Sequence, residues 1–156
     1  MSTIAVIPAR YNSSRFPGKP LVNIDGKTMI RRVYEQVQLA SITKVIVATD
    51  DFRIADEVKS FGGEYMMTSP NHLCGTDRCI EVINELTDYT HIINIQGDEP
   101  FINPEQIKQI DYHFRMNEET SIITLAKKLD DESEYKNPIV LKCVLTKIIL
   151  LLLLIE

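Results

Sequence analysis

Cysteine is scarce in this chain of 156 residues, and its placement excludes two uses at once. Cys74, Cys79 and Cys143 make an odd count, with no CxxC pair and no zinc-like spacing. Neither a disulfide framework nor a zinc site is expected, and reduced thiols in a cytoplasmic protein account for them. Positive charge is not in excess either. With 17 Lys and Arg against 22 Asp and Glu, the net charge of -5 argues against a nucleic-acid binder that works by bulk electrostatics. No basic segment precedes the first apolar stretch at Thr3, so no secretory signal is expected. Ile148–Ile155 is unbroken apolar sequence, far short of the ~20 residues that span a bilayer. His72, His91 and His113 lie at no metal-like spacing and read as ordinary residues.

What remains is an ordinary soluble composition, 44% hydrophobic and 25% charged, on a chain long enough for one sizeable core. Strand-like and helix-like segments alternate. Thr3–Ile7 is β-branched and apolar, bounded by Pro8. Met29, Ile30, Val33, Tyr34 and Val37 repeat at helical spacing behind Thr28, a candidate N-cap. Lys44–Ala48 reads as a buried strand, and Asp51 as the cap of a helix from Phe52 to Phe61 that Gly62-Gly63 stops. Glu64–Met67 is a short strand. A helix opening at Thr76 would use Ile80, Val82, Ile83 and Leu86 as its apolar side. His91–Gln96 is the next strand. Asn103-Pro104-Glu105-Gln106 starts a helix reaching about Met116, and Ser121–Ala126 is a fifth strand. The order βαβαβαβαβ with short connections predicts an α/β fold built on a doubly wound, mostly parallel sheet.

In such a sheet, ligands bind at the carboxyl ends of the strands. Four loops gather there. The first, Pro8 to Leu21, carries Arg10, Arg15, Gly18 and Lys19. Unpaired cations are too costly to bury at that density, so they face a polyanion or water. A nucleoside triphosphate is the polyanion expected, although the loop is neither a Walker P-loop nor GxGxxG. The second loop ends in Asp50-Asp51, which could bind a ribose hydroxyl or, as favoured for Asp51, cap a helix. The third runs from Asn71 to Arg78. Gly75 at a helix N-terminus with Arg78 one turn in suits an anion or a base edge, against the plainer account of a capped helix with an exposed arginine. The fourth is Gln96-Gly97-Asp98-Glu99-Pro100. Its carboxylates suit a Mg²⁺ ion carried by phosphates, or else pair with Arg10 or Lys19.

The stretches IPARYNSSRFPGKPL, VATDD, GTDR and INIQGDEPFI, in this order, resemble the cytidylyltransferases that activate 3-deoxy-manno-octulosonate (Kdo). Sialic-acid cytidylyltransferases and sugar-1-phosphate enzymes carry different first loops, and neither pattern fits Tyr11 to Leu21. The resemblance implies a nucleotide-diphospho-sugar transferase-like fold and the reaction CTP + Kdo → CMP-Kdo + pyrophosphate, in the cytoplasm, for bacterial lipopolysaccharide synthesis. By position, Arg10, Arg15 and Lys19 would grip the triphosphate. Pro8 and Ala9, with Cys74 and Gly75, would read the base, and Arg78 would lie on the nucleotide. Asp98 would bind Mg²⁺ and Gln96 would face the sugar. Arg10, Lys19 and Asp98 are thereby the catalytic candidates.

Two departures accompany the resemblance. Cys74 stands where a serine is common, exchanging a hydroxyl for a weak S–H donor. The family also typically continues for roughly another hundred residues, including a second metal-binding aspartate and the dimer-forming part. Here residues 1–145 read as the CTP-binding N-terminal portion, with Asn137–Leu145 as a family-like strand, and residues 146–156 as an aberrant apolar tail. A shift of reading frame near Thr146 is the expected origin of that tail, and the downstream DNA tests it. The alternatives are a cytidylyltransferase for another acidic sugar and a non-catalytic fragment that binds CTP.

Overall fold

The computed structural model describes residues 2–12, 16–117, 119–127, 131, 136 and 152–155. The chain divides into two compact units, Met1–Arg115 and Met116–Glu156. In the first, strand β1 (Thr3–Ala9) is central. It pairs in parallel with β4 (Lys44–Thr49), Ile4 opposite Lys44, and with β6 (His91–Asn94), Ile4 opposite Ile92. β5 (Tyr65–Met67) adds to β4, giving the order β5-β4-β1-β6. The expected mostly parallel, doubly wound sheet is thus present, with helices on both faces.

Side chains alternate along β1, so it serves two cores. Ala5 and Ile7 pack with Ile30, Val33 and Val37 of α1 (Met29–Leu39), Ile54 and Val58 of α2 (Phe52–Ser60), and Ile107 of α4 (Pro104–Met116). Ile4 and Val6 turn the other way, onto Cys79 and Val82 of α3 (Gly75–Glu85). Burial there pushes the Cys79 thiol up to about 12, so it serves as a packing group.

The caps follow the residues. The Thr28 side chain accepts from Arg31 N–H, Asp51 from Arg53 N–H at 3.0 Å, and Asn103 Oδ1 from Glu105 N–H at 3.0 Å. Gly62, at φ 77°, stops α2 in the left-handed conformation. Helix α3 starts one residue before Thr76, because Cys74 and Asp77 form a capping box. The Cys74 Sγ accepts from Asp77 N–H, and Asp77 Oδ2 accepts from Cys74 N–H. Ile80 lies on the outer side of α3, half exposed, and not on its apolar face as the periodicity suggested.

A hairpin absent from the sequence reading, β2 (Asn23–Ile24) with β3 (Lys27–Thr28), turns through Asp25 and Gly26, both at positive φ. The fifth strand is shorter than expected and does not belong to the four-stranded sheet. β7 (Thr124–Lys127) pairs in parallel with β8 (Leu152–Ile155), in a two-stranded sheet of its own. Part of the apolar tail is therefore in ladder register with residues 124–127. The Asn137–Leu145 strand lies outside the described residues.

Candidate functional site

Strand β1 does not stop at Pro8, as expected, but runs on to Ala9, and the reason shapes the site. Alternate residues of a parallel strand send their N–H and C=O groups to opposite neighbours. Ile95 N–H donates to the Val6 carbonyl at 2.9 Å, so Val6 and, two residues on, Pro8 face the β6 side. β6 has already ended at Asn94, and the missing N–H of Pro8 costs no ladder bond. Gly97 takes the space beside it. A Cβ at Gly97 would lie 2.8 Å from the Pro8 carbonyl oxygen, so the 96–98 loop can press against β1 only as glycine. Gly75 brings the first turn of α3 close in the same way, 3.1 Å from the Pro8 ring for an added Cβ.

These approaches enclose a cavity of about 470 Å³ at the carboxyl ends of β1 and β6. Pro8, Ala9, Arg10 and Lys19 line it from the first loop, Cys74, Gly75 and Arg78 from the start of α3, and Gln96 and Asp98 from the fourth loop. Every residue that the resemblance assigns, except Arg15, which lies outside the described residues, meets on this one space, whereas Asp50, Asp51 and Glu99 do not line it. Sequence reasoning missed Phe16, Pro20, His72 and Gly97, which share the wall. The first two sit inside the Pro8–Leu21 loop itself. His72 gave no signal, because its partner Glu81 is on the next helix.

The charges on the wall are arranged by pairing. Lys19 Nζ donates to Asp98 Oδ2 at 2.5 Å, both side chains about half exposed, so the pairing weighed against a metal role does exist. Arg78 is buried and not exposed. It donates to Thr68 Oγ1, and its other nitrogen lies 3.2 Å from Asp50 Oδ2. Asp50 therefore anchors Arg78 in the cavity wall, while Asp51 is committed to capping and to Arg53. Among the described residues no cluster of three or more His, Cys, Asp or Glu is gathered. A lone half-exposed carboxylate on a cationic cavity fits Mg²⁺ that arrives with substrate phosphates.

Glu81 holds the third loop, accepting from Ser69 N–H at 2.9 Å and contacting His72. The hydrogen bond from His72, then that from Ser69, holds its carboxyl below the ordinary range. A depressed folded-state pKa gives stability that is present above the unfolded value and lost as pH falls through the folded one. Glu81→Gln is therefore expected to lower the melting temperature at pH 7 by about 2–4 °C, the effect of about 1 kcal/mol in a chain of this size. The gap should close in strong acid. Equal melting curves at pH 7, measured by circular dichroism, would contradict this.

A profile of the family described as "Cytidylyltransferase" matches residues 4–150. The chain belongs to the cytidylyltransferase family. It is similar to the 3-deoxy-manno-octulosonate cytidylyltransferases of Cytophaga hutchinsonii, 51% identical over 140 residues, and Parabacteroides distasonis, 52% over 152 residues. Those alignments cover 88% and 94% of this chain but 55% and 60% of the relatives. The chain thus spans somewhat over half the length of the curated relatives it matches. Among solved structures it resembles the CMP:2-keto-3-deoxy-manno-octonic acid synthetase complexed with CTP, with TM-score 0.82 and 41% identity over 86% of this chain and 56% of that one. The resemblance read from the four motifs is thereby met. None of the described helices is long and apolar enough to cross a membrane.

Proposed function

We propose that this chain carries the CTP-binding portion of a Kdo cytidylyltransferase and that its cavity takes the nucleotide. The observation that carries the reading is the convergence of Arg10, Lys19, Gly75 and Asp98 on one space at the sheet edge. The CTP-complexed synthetase of like fold supports it.

The anomeric hydroxyl oxygen of Kdo bonds to the α-phosphorus of CTP. The bond from that phosphorus to the bridging oxygen breaks, pyrophosphate leaves with the electron pair, and the hydroxyl proton goes to solvent. Such a transfer asks the protein chiefly for alignment and charge neutralisation. On this reading Arg10 and Lys19 hold the phosphates, and the α3 N-terminus and the Pro8–Ala9 backbone seat the base. Arg78, steadied by Asp50, flanks the nucleotide, and Gln96 faces the sugar. Asp98 is the residue that would hold Mg²⁺, which, when bound, neutralises phosphate charge and lowers the pKa of a nearby hydroxyl. The product would enter lipopolysaccharide synthesis in the cytoplasm, where Cys74 and Cys79 stay reduced.

A CTP-binding unit without catalysis is the second reading, in keeping with the Lys19–Asp98 pair that already engages both side chains. Pyrophosphate release with CTP, Kdo and Mg²⁺, measured beside CTP binding alone, separates them. Turnover that Asp98→Ala abolishes supports transfer, and binding without turnover supports the second reading. A chain that binds no CTP overturns both.

A further inference from the structure

We infer that Arg53, which lies outside the cavity, is a positioning residue for Lys19 and acts through the ring of Tyr11. The inference builds on the cavity reading above. Tyr11 follows β1, and its carbonyl accepts the Gly18 N–H at 2.9 Å. Its side chain lies beneath Gly18: an added Cβ there would be 3.2 Å from two ring carbons and from the hydroxyl oxygen, and φ at Gly18 is 73°. Gly18 is the last residue before the short 3-10 turn Lys19–Leu21, so its placement sets where the Lys19 side chain leaves the backbone.

The Tyr11 ring is itself braced. The Arg53 guanidinium carbon sits 3.2 Å from the ring centroid, a stacked arrangement. The guanidinium is in turn fixed by a two-pronged contact with Asp51, Nε to Oδ1 at 2.8 Å and Nη2 to Oδ2 at 2.6 Å. Asp51 cannot drift, because it also caps α2. A continuous line of contacts thus runs from the start of α2 through Asp51, Arg53 and Tyr11 to Gly18 and Lys19. More than half of the Arg53 side chain is exposed, so core packing does not explain this construction.

The test reads the loop directly as well as through ligand. In the ligand-free chain, amide hydrogen exchange at Gly18 is expected to quicken several-fold in Arg53→Ala and in Tyr11→Leu. Tyr11→Phe should match the parent and Arg53→Lys should fall between, since an ammonium keeps the charge but not the planar fork. Affinity for CTP should fall by about two- to fivefold in Arg53→Ala. The loss should persist at high salt, where a distant charge effect would be screened, and should vanish in a Lys19→Ala background. Unchanged Gly18 exchange in Arg53→Ala overturns the inference, as does an affinity loss that adds fully to that of Lys19→Ala. A parent that binds no CTP while Arg53→Ala still quickens exchange overturns the functional reading and leaves the brace standing.

Discussion

An Asp98→Asn variant is expected to bind CTP about three- to fivefold more tightly than the parent when EDTA is present, and to gain nothing from added magnesium. The expectation follows from the 2.5 Å contact between Lys19 and Asp98. On the proposed reading the carboxylate holds the ammonium that the phosphates would need, so nucleotide would have to displace it. Half-exposed pairs of this kind are worth at most about 1 kcal/mol, which bounds the gain. In the presence of magnesium the sign reverses. On the proposed reading the parent carboxylate would be released to the cation while Lys19 would be released to phosphate, so cation and nucleotide would assist one another. Asparagine offers no such exchange, and pyrophosphate release should fall by about a hundredfold or more. Calorimetric titration with CTP, with and without magnesium, measures both arms. An unchanged metal-free affinity would show that the ion pair does not oppose nucleotide, and a surviving magnesium response would place the cation elsewhere.

Lys19→Ala and Arg10→Ala should each weaken CTP binding by about ten- to a hundredfold, as expected for one charge-assisted hydrogen bond to phosphate. Neither should shift the melting temperature by more than about 2 °C, since both side chains lie at the cavity surface and neither fills a core. Parallel melting and binding measurements settle it. A variant that binds CTP like the parent removes its residue from the phosphate site, and one that loses binding and stability together makes that residue structural.

Local chemistry made most of the first unit legible. The α1 stripe, the Asp51 cap and the Gly62 stop are each written within a few residues. The failures are of another kind. Two-residue strands are too short for any alternation to show, so the 23–28 hairpin went unread although Asp25-Gly26 is a strong turn signal. Pro8 looks like a strand end unless one knows that β6 stops at Asn94. Residues 124–127 carry a strand pattern, but nothing nearby says that their partner is 152–155. Within the site, the pairing of Asp98 with Arg10 or Lys19 is offered by the sequence as the alternative to a metal role, but the Arg78–Asp50 pair is not legible there. Lys19 meets Asp98 and Arg78 meets Asp50 only because the sheet brings distant loops to one edge. For that reason the sequence leaves Arg78 open between an anion or base-edge site and an exposed arginine, and gives no sign of His72.

The central place of β1 also governs how the chain emerges from the ribosome. Its first partner begins at Lys44, but Ile92, on its other side, leaves the peptidyl-transferase centre some fifty residues later still. At elongation rates of about 5–20 residues per second, roughly several seconds pass with one flank of a largely apolar strand unoccupied. A nascent chain in that interval exposes apolar surface that a ribosome-associated chaperone would cover, and slow codons between residues 50 and 90 would lengthen its exposure.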